Sequence, residues 1–135
     1  MKSIFIIIAC LSALFANAQV RKTSYVEVLY FHGNQRCITC KAIEKHTKDV
    51  VFKDLSDMVK KGLVRFREVN FSTSEGEKLA EKYRVSWSSL YVNLWRNGKE
   101  NRNNLTRFGF ENARNNTSFF KVGLKRKITQ LLKSR

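Results

Sequence analysis

The spacing of apolar residues predicts strands and helices in alternation over the first half of the chain. Residues 25–31 form an apolar run rich in β-branched and aromatic side chains, which indicates a strand buried on both faces. From residue 37 to about residue 61 apolar residues recur at steps of three, four or seven, which predicts a helix that Gly62 ends. A second strand is predicted at residues 63–71.

The second half of the chain continues the pattern with a helix and a hairpin. Ser72 and Glu75 have the spacing of a capping box, so a short helix should begin at Ser72. Residues 90–95 read as a strand, and Asn97-Gly98 after it is a strong hairpin signal because both residues tolerate positive φ. A last strand should therefore run back antiparallel from about Lys99.

The C-terminal segment is predicted to be an amphipathic helix with Asn116 or Thr117 as its cap. Its apolar face consists of Phe120, Leu124, Ile128, Leu131 and Leu132. The order of elements is thus βαβαββα. Strand–helix–strand crossovers require parallel pairing and the hairpin adds antiparallel strands. We therefore predict an α/β fold with a mixed four-stranded sheet sandwiched by helices.

The first eighteen residues have the pattern of a secretory signal peptide. A short cationic start precedes the apolar residues 4–15, and Ala16-Asn17-Ala18 supplies small residues for cleavage before Gln19. Cys10 lies too early in the apolar run for a lipoprotein cleavage site. We therefore expect a periplasmic or secreted protein, with residues 19–135 as a single domain.

The chain is strongly basic, with 26 Lys and Arg residues against 11 Asp and Glu and a net charge of +15. These basic residues are spread through every segment, which is typical of a solvated surface that attracts anionic partners. Nucleic-acid binding would require a basic patch with interleaved aromatics in a domain that stays inside the cell, and the basic residues cluster only mildly, at Lys121, Lys125, Arg126, Lys127, Lys133 and Arg135. We expect a monomer that does not bind nucleic acid.

The chemistry-bearing residues are Cys37 and Cys40, the two thiols left after signal cleavage. One tight pair in an exported domain indicates redox work or metal binding rather than a structural disulfide framework. Cys37 at the helix start should favour the thiolate, helped by the cation Arg36, and would attack a disulfide that Cys40 then resolves. His32, at the strand end, is a candidate for stabilising the thiolate or moving protons.

With Cys-Ile-Thr-Cys placed after a buried strand, the mature chain resembles the thioredoxin-like superfamily. It more narrowly resembles the exported thioredoxin-like proteins of the ArsF type, described as subunits of nitrophenyl-compound nitroreductases. The matching residues are Tyr30-Phe31-His32-Gly33, Arg36-Cys37, Cys40, Ala42-Ile43-Glu44, Lys82-Tyr83-Arg84-Val85, Ser88-Ser89-Leu90, Phe110 and Ala113-Arg114-Asn115-Asn116. The resemblance implies an inner-membrane electron donor of the DsbD or CcdA kind and raises a role with organic arsenicals.

The resemblance also implies that Trp87, Ser88 and Ser89 form the loop that docks substrates opposite the disulfide. Thioredoxins have a cis-proline in this loop, and here Ser88-Ser89 takes its place. A cis bond before a non-proline residue costs about 2.5–4 kcal/mol, which favours a trans bond. The position before the first cysteine, usually Trp in thioredoxins, is Arg36.

Two functional hypotheses follow from these residues. The first is an exported thiol–disulfide oxidoreductase that acts on protein or small-molecule disulfides, as a reductant, with the Cys37–Cys40 pair as its redox group and no other cofactor. The alternative is a thiol module for soft metals or As(III), in which His32 joins the two thiolates as ligand.

Overall fold

The computed structural model describes residues 24–135, so the predicted signal peptide and Cys10 lie outside the described residues. The strands and helices are β1 Ser24–His32, α1 Ile38–Asp49, α2 Ser56–Lys60, β2 Val64–Asn70, α3 Ser74–Tyr83, β3 Ser89–Arg96, β4 Lys99–Asn101, α4 Thr106–Asn112 and α5 Thr117–Lys133. No helix within residues 24–135 has the length and apolar character needed to cross a membrane.

The four strands form one mixed sheet in the order β2-β1-β3-β4. β1 pairs in parallel with β2 and antiparallel with β3, and β4 pairs antiparallel with β3. The predicted α/β fold with a mixed four-stranded sheet is therefore confirmed, and it is compatible with a thioredoxin-like fold. Because β1 is central, the loop that follows it emerges between two neighbouring strands.

Alternate residues of β1 pack into two separate apolar cores. Val26, Val28 and Tyr30 face a core that includes residues of α1, α4 and α5, while Leu29 and Phe31 face a core shared with α3. All five side chains are at most 1% exposed. Burial on both faces explains why the strand has little apolar–polar alternation in the sequence.

The helix predicted over residues 37–61 is interrupted. A π-helical turn, Val50–Asp54, separates α1 from α2, and the Leu55 amide donates to the Val50 carbonyl at 2.9 Å. Val50, Val51 and Leu55 are all buried. A π-helical turn contains one residue more than an α-helical turn, and this extra residue places Leu55 in the core beside the two valines. Gly62 ends this region with a φ of +73°, as predicted.

The predicted capping box at Ser72 is wrong by one residue. Thr73 caps α3, and its hydroxyl accepts a hydrogen bond from the Gly76 amide at 3.1 Å. The predicted hairpin is confirmed, with positive φ at both Asn97 and Gly98. The polar residues after the hairpin lead into α4, which the sequence pattern left open.

Candidate active site

Cys37 and Cys40 form a disulfide at the carboxyl end of the central strand, with their Cα atoms 5.0 Å apart. Cys37 is the N-cap of α1 and is exposed, whereas Cys40 is one turn inside the helix and 7% exposed. The Cys40 amide donates a hydrogen bond to the Cys37 sulfur at 3.0 Å. The outer sulfur therefore meets solvent and the unpaired amides of the helix start, which are the conditions that favour a thiolate after reduction.

The loop before Cys37 is held against the turn between β2 and α3. A Cβ at Gly33 would lie 2.7 Å from the Phe71 ring, so a residue without a side chain is needed for this close approach. The Asn34 amide donates to the Ser72 hydroxyl at 3.2 Å, and the Asn70 side chain donates to the Asn34 side chain at 3.2 Å. These contacts fix where the chain enters α1.

Tyr30 links the central strand β1 to the first turn of α1. Its ring is fully buried, and its hydroxyl donates to the Cys40 carbonyl at 2.9 Å. Burial raises the pKa of the Tyr30 phenol, while a hydrogen bond with the Ser88 side chain acts in the opposite direction. No sequence signal points to this hydroxyl, because a tyrosine in an apolar strand is most often a packing residue.

His32 is 3% exposed and lies at the end of β1, where both of its ring nitrogens have partners. Nδ1 lies 2.9 Å from the Gly33 carbonyl oxygen. Nε2 lies 2.8 Å from Glu68 Oε1 and 3.1 Å from Arg36 Nη2. The structure thus joins the two residues that were predicted to support the thiolate, and it adds a carboxylate that was not predicted.

The Arg36 guanidinium does not stand alone beside Cys37. Its Nη1 donates to Glu44 and its Nη2 lies 3.4 Å from Glu68 Oε1. Lys48 bonds both carboxylates, at 2.8 Å to Glu44 and 3.3 Å to Glu68. Burial acts to raise the pKa of Glu44, but Lys48 and Arg36 outweigh it and lower that pKa, so this carboxylate is ionised at neutral pH.

The predicted docking loop lies at the same edge of the sheet as the disulfide. β3 is antiparallel to β1, so its first residue, Ser89, pairs with Phe31 near the end of β1. Ser88 and Ser89 are each 5% exposed, and the Trp87–Ser88 peptide bond is trans. Trp87, 72% exposed, and Ile38, 67% exposed, are large apolar side chains that flank this edge from the loop and from α1.

A three-ligand metal site with His32 is not assembled in the part of the chain that the structure describes. Residues 24–135 contain no group of three or more His, Cys, Asp and Glu side chains placed to hold a metal ion. The nitrogens of His32 face Gly33, Glu68 and Arg36 instead. The two sulfurs remain the soft ligands that the site offers.

Comparisons with known proteins add little to this geometry. No protein-family model matches the chain, and no curated protein matches it. Among solved structures, one described as "Structure of a malarial protein" is 20% identical, covers 77% of this chain and 97% of its own, and has a TM-score of 0.46. This likeness is too distant to carry an argument about fold family or activity.

Proposed function

We propose that the protein is an exported thiol–disulfide oxidoreductase of the thioredoxin-like superfamily. The observation that carries this proposal is the division of roles within the disulfide, with Cys37 exposed at the N-cap of α1 and Cys40 buried one turn inside. A pair used only for stability would gain little here, because a loop of so few residues barely restricts the unfolded chain. The arrangement suits one thiol for attack and one for resolution.

In the reduced protein the Cys37 thiolate attacks a substrate disulfide, so that a Cys37–substrate bond forms and the first substrate thiolate leaves. Cys40 then loses its proton and attacks the Cys37 sulfur, which releases the second substrate thiolate. The protein keeps the Cys37–Cys40 disulfide, and the substrate has gained two electrons. The Cys40 amide donates to the Cys37 sulfur, and this contact would stabilise the negative charge of the Cys37 thiolate in the reduced protein.

We propose the reducing direction, with electrons supplied by an inner-membrane dithiol carrier. The support comes from the sequence, in which the predicted signal peptide and the ArsF-type resemblance both imply an exported protein with a membrane companion. The client disulfide belongs to a protein or a small molecule that docks against Trp87 and Ile38, the exposed apolar side chains beside the pair.

The midpoint potential of the pair tests both the activity and its direction. A two-electron couple near −270 mV supports a reductant, and one near −120 mV supports an oxidant. Cys40→Ser should accumulate a mixed disulfide with a model disulfide substrate, whereas Cys37→Ser should form none, since the attacking thiol is missing.

Measurements on the reduced wild-type protein also distinguish the redox proposal from the alternative, a thiol module that binds soft metals or As(III). If reduced wild-type protein shows no turnover with the model substrate but binds stoichiometric Cu(I) or As(III), the redox proposal is overturned. Binding of these ions together with normal turnover leaves the redox proposal standing, because any exposed dithiol binds soft ions.

A further inference from the structure

A cluster of ionisable side chains fills the space between α1 and β2 next to the disulfide. Its members are His32, Arg36, Glu44, Lys48 and Glu68, and each contacts at least two of the others. The side chain of Glu44 is only 12% exposed and that of Arg36 is 28% exposed. Charges this far out of water interact more strongly than a surface ion pair.

The cluster lies on the face of α1 that carries the inner cysteine. Cys40, Glu44 and Lys48 follow one another at intervals of four residues, so their side chains are neighbours along the helix. Arg36 directly precedes Cys37 in the chain, and its guanidinium is drawn to Glu44 and Glu68. Both cysteines therefore have a member of the cluster beside them.

The charges in this cluster balance. Arg36 and Lys48 are two cations, Glu44 and Glu68 are two carboxylates, and the contacts pair each cation with both carboxylates. A free guanidinium next to Cys37 would stabilise the thiolate and make the disulfide easier to reduce. The carboxylates offset that effect, since they hold the same guanidinium and are themselves negative.

We propose that Glu44 and Glu68 are positioning residues that hold Arg36 and thereby keep the reduction potential of the Cys37–Cys40 pair low. This inference rests on the proposed function, and it attributes the reduction potential of the disulfide to a specific set of contacts. Reduction adds two electrons to the disulfide and leaves Cys37 as a thiolate, so any residue that screens Arg36 from that thiolate disfavours the reduced form. A low potential is what a reductant requires.

The test is the equilibrium of the pair with reduced and oxidised glutathione in the full-length protein. Glu44→Gln should shift this equilibrium about tenfold toward the dithiol, because one released charge near a thiol changes its pKa by about one unit or more. Tenfold corresponds to about 30 mV for a two-electron couple. Lys48→Met should shift it in the opposite direction, since the carboxylates then lose a cation.

Glu81→Gln is the matched control. Glu81 is exposed on α3, which packs on the other face of the sheet, and its replacement removes the same charge. We expect no change in the equilibrium with this variant. If Glu44→Gln and Glu81→Gln give the same result as wild type, the inference is overturned.

A double variant separates positioning from a direct charge effect. If Glu44 acts through Arg36, then Glu44→Gln in an Arg36→Met background should leave the equilibrium unchanged, as the Glu81→Gln control does. A full tenfold shift in that background would refute the assigned role. Glu68→Gln, on the opposite side of the cluster, provides a second variant should Glu44→Gln fail to fold.

These outcomes stay distinct from failure of the proposed function. Absence of a measurable two-electron couple in the wild-type protein overturns the proposed function itself. A clean wild-type couple that Glu44→Gln leaves unmoved overturns only the role of the cluster.

Discussion

Tyr30→Phe should destabilise the protein by removing one hydrogen bond beneath the disulfide while leaving the ring in place. The Tyr30 hydroxyl is buried and donates to the Cys40 carbonyl at 2.9 Å. Loss of a buried partner costs about 1–3 kcal/mol. The Cys40 carbonyl also lies in α1, where the helix offers it a second donor, so we expect about 1–1.5 kcal/mol. The melting temperature should fall by about 4–8 °C.

Thermal and denaturant unfolding of the oxidised protein measure this loss, with Tyr25→Phe as the matched control. Tyr25 is half-buried, its ring stacks on Trp95, and its hydroxyl has no hydrogen-bond partner among residues 24–135. The control should change the free energy of unfolding by less than about 0.5 kcal/mol. Equal losses in the two variants would refute the claim that the Tyr30 hydroxyl ties α1 to the sheet.

Alkaline pH gives a second measure of the same hydroxyl. Burial raises the pKa of Tyr30 in the folded protein, despite the opposing Ser88 hydrogen bond. A raised folded pKa stabilises the protein fully below the unfolded value of about 10, and this contribution is lost as the pH rises through the folded pKa. Because phenylalanine does not ionise, the stability gap between wild type and Tyr30→Phe should shrink above pH 10. A gap that stays constant would contradict the burial argument.

Two further predictions concern packing and acid stability. Gly76→Ala should lower the free energy of unfolding by about 3 kcal/mol, because the new Cβ would lie 1.9 Å from the Asn70 carbonyl oxygen. Gly62→Ala is the control: its Cβ would have open space, so only the φ of +73° should cost stability, about 1 kcal/mol. Similar melting temperatures for the two variants would argue against the close approach at Gly76. Since the pKa of Glu44 is lowered in the folded protein, its contribution is present above the unfolded value of about 4.3 and is lost as the pH falls through the folded pKa. Between pH 7 and pH 3 the free energy of unfolding of Glu44→Gln should therefore fall less than that of the wild-type protein. If the two proteins lose stability in parallel over this range, Glu44 makes no such contribution.

Most of the fold could be predicted because its signals are local. Asn97 and Gly98 both tolerate the positive φ that a tight turn requires, so this dipeptide alone predicts the hairpin. The π-helical turn Val50–Asp54 was not predictable from a fixed helical period, because it arises from the demand that Leu55 share a core with residues of the sheet and α5. Thr73 rather than Ser72 caps α3, because the Ser72 hydroxyl instead accepts a hydrogen bond from the Asn34 amide in the loop before α1.

The candidate site divides in the same way. Cys37 and Cys40 carry their chemistry in their spacing, and their placement at a helix start followed from the element order alone. Arg36 has uncharged immediate neighbours in the sequence, but its guanidinium donates to Glu44, eight residues on in α1, and also pairs with Glu68 of β2. That pairing depends on the parallel register of β1 and β2, in which Tyr30 lies opposite Glu68. Sequence reasoning had no local signal for it.

The exposure of Trp87 gives the protein a built-in optical reporter. The chain contains two tryptophans, and Trp95 is half-buried, stacked on Tyr25 and hydrogen-bonded to Glu27. Trp87, 72% exposed beside the disulfide, is the one whose emission solvent quenchers reach first. A client that covers this edge of the sheet would shield Trp87 from quenchers and leave Trp95 unchanged, so docking can be followed in the unlabelled protein.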